Sequence, residues 1–462
     1  MLSFTHLLQI AGVLVLLASL GAAGHALLNK RDPRSALGWV AIILFSPVLG
    51  MGAYLIFGIN RIRRRAQRIR EERGRFDEQS SFIPGSIDSL KRGFTSGNHV
   101  ECLLEGSATL GAVSRLVRNA ESSIFLSVYI FESKGVGEWL ITELGEAVTR
   151  GVDVRVLLDG VGALYSWGGT RKKLEAVGVK VGVFLKPRLI PPAWHINIRN
   201  HRKLLVADQR EAIVGGTNVR NAYVPKPGRK EAEAKDVNFT ISGPVVADIV
   251  LVFADDWLTA TAETLTPLDL SASASSLQVA NAECRVTVDG PDNDIDLLSL
   301  IYQAAISGAN RKVRIVTPYF LPPPELIAAL QVASIRGVTV EIILPRVSNL
   351  PFVHWATRNM LLQLLRYGVN VYYQNGAFDH SKLFVVDESY GLVGSANVDA
   401  RSLILNFEIG VEVQSQIVVE KLNEYVDGCV TRSELLKASE LESRSLAIKL
   451  RDAACWLLTP YL

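Results

Sequence analysis

Hydrophobic and polar positions divide the chain into an uncharged beginning and a long alternating body. Residues 7–28 carry no charged side chain apart from the titratable His25, and residues 35–60 carry none. Crossing a hydrocarbon layer of about 30 Å as a helix takes ~20 apolar residues. Each run therefore predicts a membrane-spanning helix, over 7–28 and 36–59. MLSFTH, ahead of the first run, has no Lys or Arg, which argues against a cleaved leader. Pro47, Gly50 and Gly52 leave a kinked or re-entrant second segment open. Residues 76–100 are rich in Ser, Gly and Pro and read as a linker. Beyond them, IFLSVYIFE (124–132) reads as a strand, EWLITELGEAVTRG (138–151) as a helix and VDVRVLLD (152–159) as a strand. KVRIVTPYF (312–320), ELIAALQVASIRG (325–337) and VTVEIILP (338–345) repeat that order, and GVKV (178–181) and GVNV (368–371) each open a further strand. Strands alternating with helices predict βαβ units and a mainly parallel sheet.

The body is thus an internal duplication. A polar skeleton recurs at the equivalent place in each half, HRKLLVADQREAIVGGTN (201–218) and HSKLFVVDESYGLVGSAN (380–397). Both have His-x-Lys, then four residues and Asp, then six and Gly, with Asn three further on. Without gaps, 201–219 and 380–398 share nine identities. The Ser/Ala-rich stretch near 271–281 is the expected junction.

Charge changes the picture at the N-terminus. The 462-residue chain carries +3, of which residues 61–75, with eight arginines against Glu71 and Glu72, hold +6 and residues 30–34 hold +2; this leaves −5 on residues 76–462. The positive-inside rule places the arginine-rich segment, and the domain behind it, in the cytoplasm, against anionic headgroups. A slightly acidic body is a poor partner for nucleic acid. Cys102, Cys284, Cys429 and Cys455 are far apart, with no CxxC pair, and suggest neither a zinc site nor a disulfide framework.

In a strand, residues i and i+2 point the same way. His201 and Lys203 share a face, as do His380 and Lys382; Asp208 and Asp387 have the opposite parity. On an unbroken strand each Asp points away from its His, toward a structural ion pair or turn. If two such halves meet about a pseudo-two-fold axis, Lys203, Lys382, Asn218 and Asn397 form a cage for a phosphate-like anion. Two histidines supply a nucleophile and a general acid, and the lysines stabilise charge on the equatorial oxygens. This is phosphodiester chemistry with no metal site and no cofactor.

At these residues the chain resembles the phospholipase D superfamily, whose signature is a duplicated HxKxxxxD followed by G(S/G)xN. The first copy ends GGTN, the second GSAN. The likeness covers roughly residues 105–462. KRDPRSALGWVAIILFSPVLGMGAYLIFGINRIRRRA (30–66), WHINIRNHRKLLVADQREAIVGGTNVRNAY (194–223), TPYFLPP (317–323) and the ending LLTPYL are similar to bacterial cardiolipin synthases. The resemblance implies an α/β fold: duplicated phospholipase D-like domains, a mixed sheet flanked by helices, pseudo-two-fold and bilobed, after two N-terminal transmembrane helices. It implies His201 as nucleophile, His380 as acid/base, and Asp208 and Asp387 as the rest of the catalytic signature. Asp236, 35 residues after His201, and Glu408, 28 after His380, lie where the superfamily places an acid to orient each imidazole.

The expected layout is a membrane anchor over 1–60, a basic juxtamembrane segment and linker over 61–100, and phospholipase D-like domains over 101–270 and 282–462. The expected activity is condensation of two phosphatidylglycerols to cardiolipin and glycerol through a phosphohistidine, at a bacterial inner membrane crossed more than once, with the catalytic domain cytoplasmic. Trp194, Phe352 and Trp355 are candidates for a lipid-facing rim. A phospholipase D hydrolase uses the same residues with water as acceptor; a non-catalytic lipid-binding scaffold would need neither histidine. Oligomeric state is not legible here.

Overall fold

The computed structural model describes residues 4–30, 33–58, 93–165, 169–186, 198–226, 228–229, 231–265, 268–269, 271, 273, 279–290 and 296–459. The arginine-rich segment 61–75, Trp194 and most of the 271–281 junction lie outside them. Residues 1–65 and 66–462 are two compact units.

In the N-terminal unit, Phe4–Asn29 is one helix of 26 residues with a mean hydropathy of 2.1 in its most apolar stretch. At ~1.5 Å per residue it is about 39 Å long, enough to cross a hydrocarbon layer. The second apolar run is not one continuous helix. It breaks into Pro33–Phe45, Pro47–Ala53 and a π-turn Tyr54–Gly58. Pro47 has no N–H to give and its ring disfavours a helical Ser46. Gly50 lets the backbone come back onto itself, since a Cβ there would lie 2.3 Å from the Ile42 carbonyl oxygen. Tyr54 closes the unit, its hydroxyl 2.8 Å from His25 Nδ1, among buried Ala23, Ala26 and Ile43.

The second unit is built on one sheet of fifteen strands. Its central seam is the antiparallel contact between Thr95–Leu103 and Ala282–Asp289. Outward from the seam, the first half runs Asn238–Ser242, Glu211–Gly215, Leu204–Ala207, Ser123–Val128, Asp153–Asp159 and Lys180–Phe184. The second half runs Glu408–Gln414, Tyr390–Gly394, Leu383–Val386, Lys312–Val316, Thr339–Pro345 and Asn370–Gln374, with Ser433–Leu435 added at the edge. The two orders match strand for strand, so the duplication read from the sequence is a duplication of structure.

The expectation of a mainly parallel sheet is corrected. The βαβ units do form parallel pairs, Ser123–Val128 with Asp153–Asp159 and Lys312–Val316 with Thr339–Pro345, each extended by one more parallel strand. All the other pairings in this sheet among the described residues are antiparallel. The motif strands cause this: short hairpins such as Leu204–Ala207 with Glu211–Gly215 can join only antiparallel neighbours. The linker expectation is also corrected at its end. Residues 95–100 belong to strand Thr95–Leu103, where half-buried Asn281 substitutes for a backbone partner, accepting from Val100 N at 2.8 Å and donating to Val100 O at 3.0 Å.

Helices cover both faces, which is why inner strands are buried along their length rather than on alternate positions. Ser123–Val128 is buried at every position. Gly106–Asn119 and Val136–Thr149 pack on one side of the first half, and Phe253 and Trp257 of Val246–Thr261 stack under Phe125 on the other. In the second half, Leu297–Gly308, Pro324–Ile335 and Pro351–Leu365 bury a core that includes Phe384. Phe384, two residues beyond Lys382, is fully enclosed, 4.7 Å from the Tyr302 ring and 6.1 Å from Tyr390. Phe384→Ala should cost about 3–5 kcal/mol, read as a lowered denaturation midpoint. A loss below about 1 kcal/mol would mean the core closes over the gap.

Candidate active site

Each motif histidine is carried by a segment laid against the other half of the molecule. His201 N donates to Phe407 O at 2.9 Å, and Phe407 N donates to Arg199 O at 2.8 Å. In the other half, His380 N donates to Lys235 O at 2.8 Å and Phe378 N to Glu233 O at 2.9 Å, across the parallel pair Ala234–Lys235 with Phe378–Asp379. The residue following each of these partner segments is an acid. The imidazoles therefore pair across the axis: His201 Nδ1 lies 2.9 and 3.0 Å from the two Glu408 oxygens, and His380 Nδ1 lies 2.9 Å from Asp236 Oδ2. Sequence offset puts Asp236 after His201 and Glu408 after His380; the fold exchanges them.

Lys203 and Lys382 are buried beneath the histidines. Lys203 Nζ donates to His201 O at 2.5 Å. Lys382 Nζ donates to His380 O and lies 2.8 Å from His380 Nδ1. Asn218 Oδ1 accepts from Ile130 N at 3.0 Å, and Asn397 Nδ2 faces Ser402 Oγ at 3.3 Å. Both asparagines and both histidines line one cavity of about 820 Å³, within the usual ~300–1,000 Å³ of a small-molecule site.

Asp208 and Asp387 are not brought to the cavity. Each ends its motif strand with a positive φ, 51° and 52°, and turns its carboxylate onto the start of a neighbouring strand. Asp208 accepts from the N–H groups of Glu121, Ser122 and Ser123 at 2.7–3.1 Å. Asp387 accepts from those of Asn310, Arg311 and Lys312 at 2.8–3.0 Å. These bonds hold both carboxyls below the usual range against the opposing effect of burial. Strand parity separates each Asp from its His, and the two residues bracket the fold rather than touch the site. Of the expected rim aromatics, Phe352 is 57% exposed and lines the cavity. Trp355 does not; it packs with Leu321, Val353 and Cys455, under the Arg451 guanidinium at 4.2 Å.

Tyr129, Tyr223 and Arg202 are residues of the site that the repeated skeleton does not single out. Tyr129 meets His201 edge-on at 5.0 Å, and the Tyr223 hydroxyl lies 3.2 Å from His380 Nδ1. Arg202, between His201 and Lys203, is buried on Asp256 at 2.6 Å and donates to Glu408 O at 3.1 Å. Ser395 matters most. Its hydroxyl donates to Glu408 and accepts from Ile409 N at 3.0 Å. The matching residue in the first half is Gly216, packed so closely that a Cβ would sit 2.6 Å from Asp236 Oδ1 and 2.9 Å from Lys382 Cδ. The mismatch between GGTN and GSAN is the one signal that pointed here.

Electrostatics follow this asymmetry. Burial pushes His201 down to about 4 against the pull of Glu408, and pushes His380 well down with help from Lys382 and Lys203. Both imidazoles are neutral at pH 7. Burial also lowers Lys203 to about 7 and Lys382 to about 8. Asp236 is raised to about 7 by burial, against Lys382. Burial would raise Glu408 too, but His201, Lys203 and Ser395 hold it below the ordinary carboxylate value.

A pH dependence results. An unfolded histidine titrates near 6.5, whereas native His201 stays neutral to about 4. As pH falls through that window the unfolded chain binds the proton first, so stability is lost, by at most about 3 kcal/mol from this group. The melting temperature of His201→Gln should fall less steeply than wild type between pH 6.5 and 4; identical slopes would refute the assignment.

With fold and site described, comparison with known proteins is informative. A family model described as "Cardiolipin synthase, PLD-like domain" matches residues 113–257 and 302–430, and one for a phospholipase D-nuclease N-terminal region matches residues 17–58. A cardiolipin synthase of Oceanobacillus iheyensis is 30% identical, covering 94% of this chain and 95% of the relative. The major cardiolipin synthase of Bacillus subtilis is also 30% identical, with the same coverage. The crystal structure of a Haemophilus influenzae phosphatidylserine synthase superposes over 80% of this chain and 97% of its own, with a TM-score of 0.63 at 17% identity, a likeness of fold. The chain belongs to the family of cardiolipin synthases built on duplicated phospholipase D-like domains.

Proposed function

We propose that this protein is a cardiolipin synthase that transfers a phosphatidyl group from one phosphatidylglycerol to another, with glycerol as the second product. The carrying observation is the crossed pair of imidazoles, each with Nδ1 engaged by an acid from the opposite half and its ring on one shared cavity. That leaves both Nε2 atoms for chemistry.

The asymmetry of the two pairs distributes the roles. Glu408, ionised and held by Ser395 and by Asn406 Nδ2 at 3.1 Å, accepts Nδ1–H of His201, so His201 Nε2 carries a lone pair. Around His380 Nδ1 stand donors: Lys382 Nζ, the Tyr223 hydroxyl and an Asp236 raised toward its neutral form. A ring that accepts at Nδ1 carries its proton on Nε2. His201 Nε2 attacks phosphorus, the bond to the headgroup glycerol oxygen breaks, and His380 Nε2–H protonates that oxygen. In the second step the primary hydroxyl of another phosphatidylglycerol attacks, His380 takes its proton, and the N–P bond breaks. Lys203 and Lys382, with the amides of Asn218 and Asn397, bind the phosphoryl oxygens; an anion there restores the charge that burial costs the lysines. Asp236 and Glu408 orient the rings, and Asp208 and Asp387 brace the strands.

In this reading the domains are 101–270 and 282–462, the first extended back to Thr95. The apolar helix Phe4–Asn29 and the broken helix behind it anchor the protein twice in a bacterial inner membrane. The basic segment 61–75 and the catalytic domain lie on the cytoplasmic side. Phe352, exposed at the cavity, faces lipid. The substrates are phospholipids rather than nucleic acid.

Detergent-solubilised protein given phosphatidylglycerol alone should yield cardiolipin and free glycerol by mass spectrometry, and His201→Ala or His380→Ala should yield neither. Phosphatidic acid as the product would make the protein a hydrolase and overturn the reading; turnover surviving both substitutions would make it a binding scaffold. Gly216→Ala, which forces Asp236 off His380, should fold normally and lose about 10–100-fold in turnover. Unchanged turnover would show that the Asp236–His380 contact is dispensable.

A further inference from the structure

A second cavity, of about 260 Å³, shares no lining residue with the catalytic one. It sits at the outer edge of the second half. Tyr373 enters it from strand Asn370–Gln374, Glu434 from the edge strand Ser433–Leu435, and His354 and Arg358 from helix Pro351–Leu365. The edge strand has no counterpart in the first half among the described residues, so the cavity is not a repeat of anything there. The same helix also serves the catalytic cavity, through Phe352 and Val353.

Every guanidinium around this cavity has a carboxylate, but one carboxylate is shared three ways. Arg358 and Arg444, with Arg451 from outside the lining, all donate to Asp452, which is fully buried. Arg346 is on Glu434, at the exposed rim. Glu440, the other acid of the lining, is exposed and accepts from Lys437 N at 3.1 Å. Burial, with Arg358 beside it, pushes His354 down to about 4, so it is neutral at pH 7. The enclosed end of the cavity is therefore cationic.

Two donors in its wall are shut off from solvent and have no hydrogen-bond partner among the described residues: the Tyr373 hydroxyl and Arg358 Nε. Burial raises the hydroxyl to about 12 against the pull of Arg358, Arg444 and Arg346, so it keeps its proton. A buried donor without an acceptor is costly. These two lie on different elements of one wall, and the charge around them is positive. A tetrahedral oxyanion offers an acceptor oxygen to each and charge to the arginines. The surroundings suit lipid. On helix Leu446–Leu457, Asp452 and Cys455 face inward, while Leu446, Leu450 and Leu457 are 72%, 61% and 71% exposed. An outward leucine stripe that begins two residues after Arg444 fits a surface where headgroup phosphates meet acyl chains.

We propose that this cavity is a second anion site, apart from the catalytic one, that takes a phosphate group on the Tyr373 hydroxyl and Arg358 Nε–H, with Arg346 and Arg444 supplying charge. The phosphate is that of a lipid headgroup or free phosphate. The site stands independently of the transferase reading, and its test reads binding, not turnover.

The full chain in a non-ionic detergent is given inorganic phosphate in place of chloride at equal ionic strength. Hydrogen exchange across 433–446, which holds no residue of the catalytic cavity, should slow. In Tyr373→Phe and Arg358→Lys the phosphate concentration giving half of that protection should rise about tenfold or more, while protection around His201 and His380 stays as in wild type. Without phosphate, Tyr373→Phe should melt no lower than wild type, because the lost hydroxyl has no partner; a lower melting temperature would overturn the assignment. Short-chain phosphatidylglycerol, with the matching diacylglycerol as its phosphate-free control, identifies the source. Protection at lower concentration than inorganic phosphate assigns the site to a headgroup, and the reverse assigns it to free phosphate. No protection of 433–446 by either, or equal protection in wild type and both variants, overturns the site.

Discussion

Two hydrogen-bonded pairs, His201 with Glu408 and His380 with Asp236, hold the site together. Each imidazole pairs with a carboxylate from the opposite half, so neither repeat holds a complete histidine–acid pair of its own. The pairs exist because the backbone just before each histidine is bonded to the backbone just before the other half's acid. Main-chain pairing thus sets side-chain distance. With each Nδ1 occupied, both imidazoles line a single cavity, and a duplicated fold presents one candidate site.

Burial is the opposing constraint. Two imidazoles, two ammoniums and two carboxyls share a site from which water is largely excluded, and burial opposes the charged form of every one. The structure answers with unequal arrangements. His201, Lys203 and Ser395 together hold Glu408 below the ordinary carboxylate range, whereas burial raises Asp236, whose matching neighbour Gly216 has no hydroxyl to give.

The rest of the second unit holds this geometry still. Asp208 and Asp387 each accept three backbone N–H bonds at the far end of the motif strands. The seam Thr95–Leu103 joins the halves into one sheet, so the axis on which the site lies is a continuous hydrogen-bonded surface. In the N-terminal unit the same backbone chemistry works in reverse: at Pro47 a missing donor interrupts what composition alone reads as one apolar span.

Sequence alone determined what depends on neighbours in the chain. The repeated skeleton singled out the histidines, lysines and asparagines that the structure gathers around one cavity; the βαβ periods match the strands and helices to within a few residues; and strand parity already turned Asp208 and Asp387 away from the histidines. These are local properties, with side-chain direction following from a period of two or 3.6. Tertiary structure decided whatever needed two distant segments. Strand Thr95–Leu103 is weak in local pattern and is recruited by partners on both sides. The antiparallel majority of the sheet and the exchange of Asp236 and Glu408 between histidines are contacts across long stretches of chain. No local period encodes them, because their cause is hydrogen bonding and charge between backbones that only the completed sheet brings together.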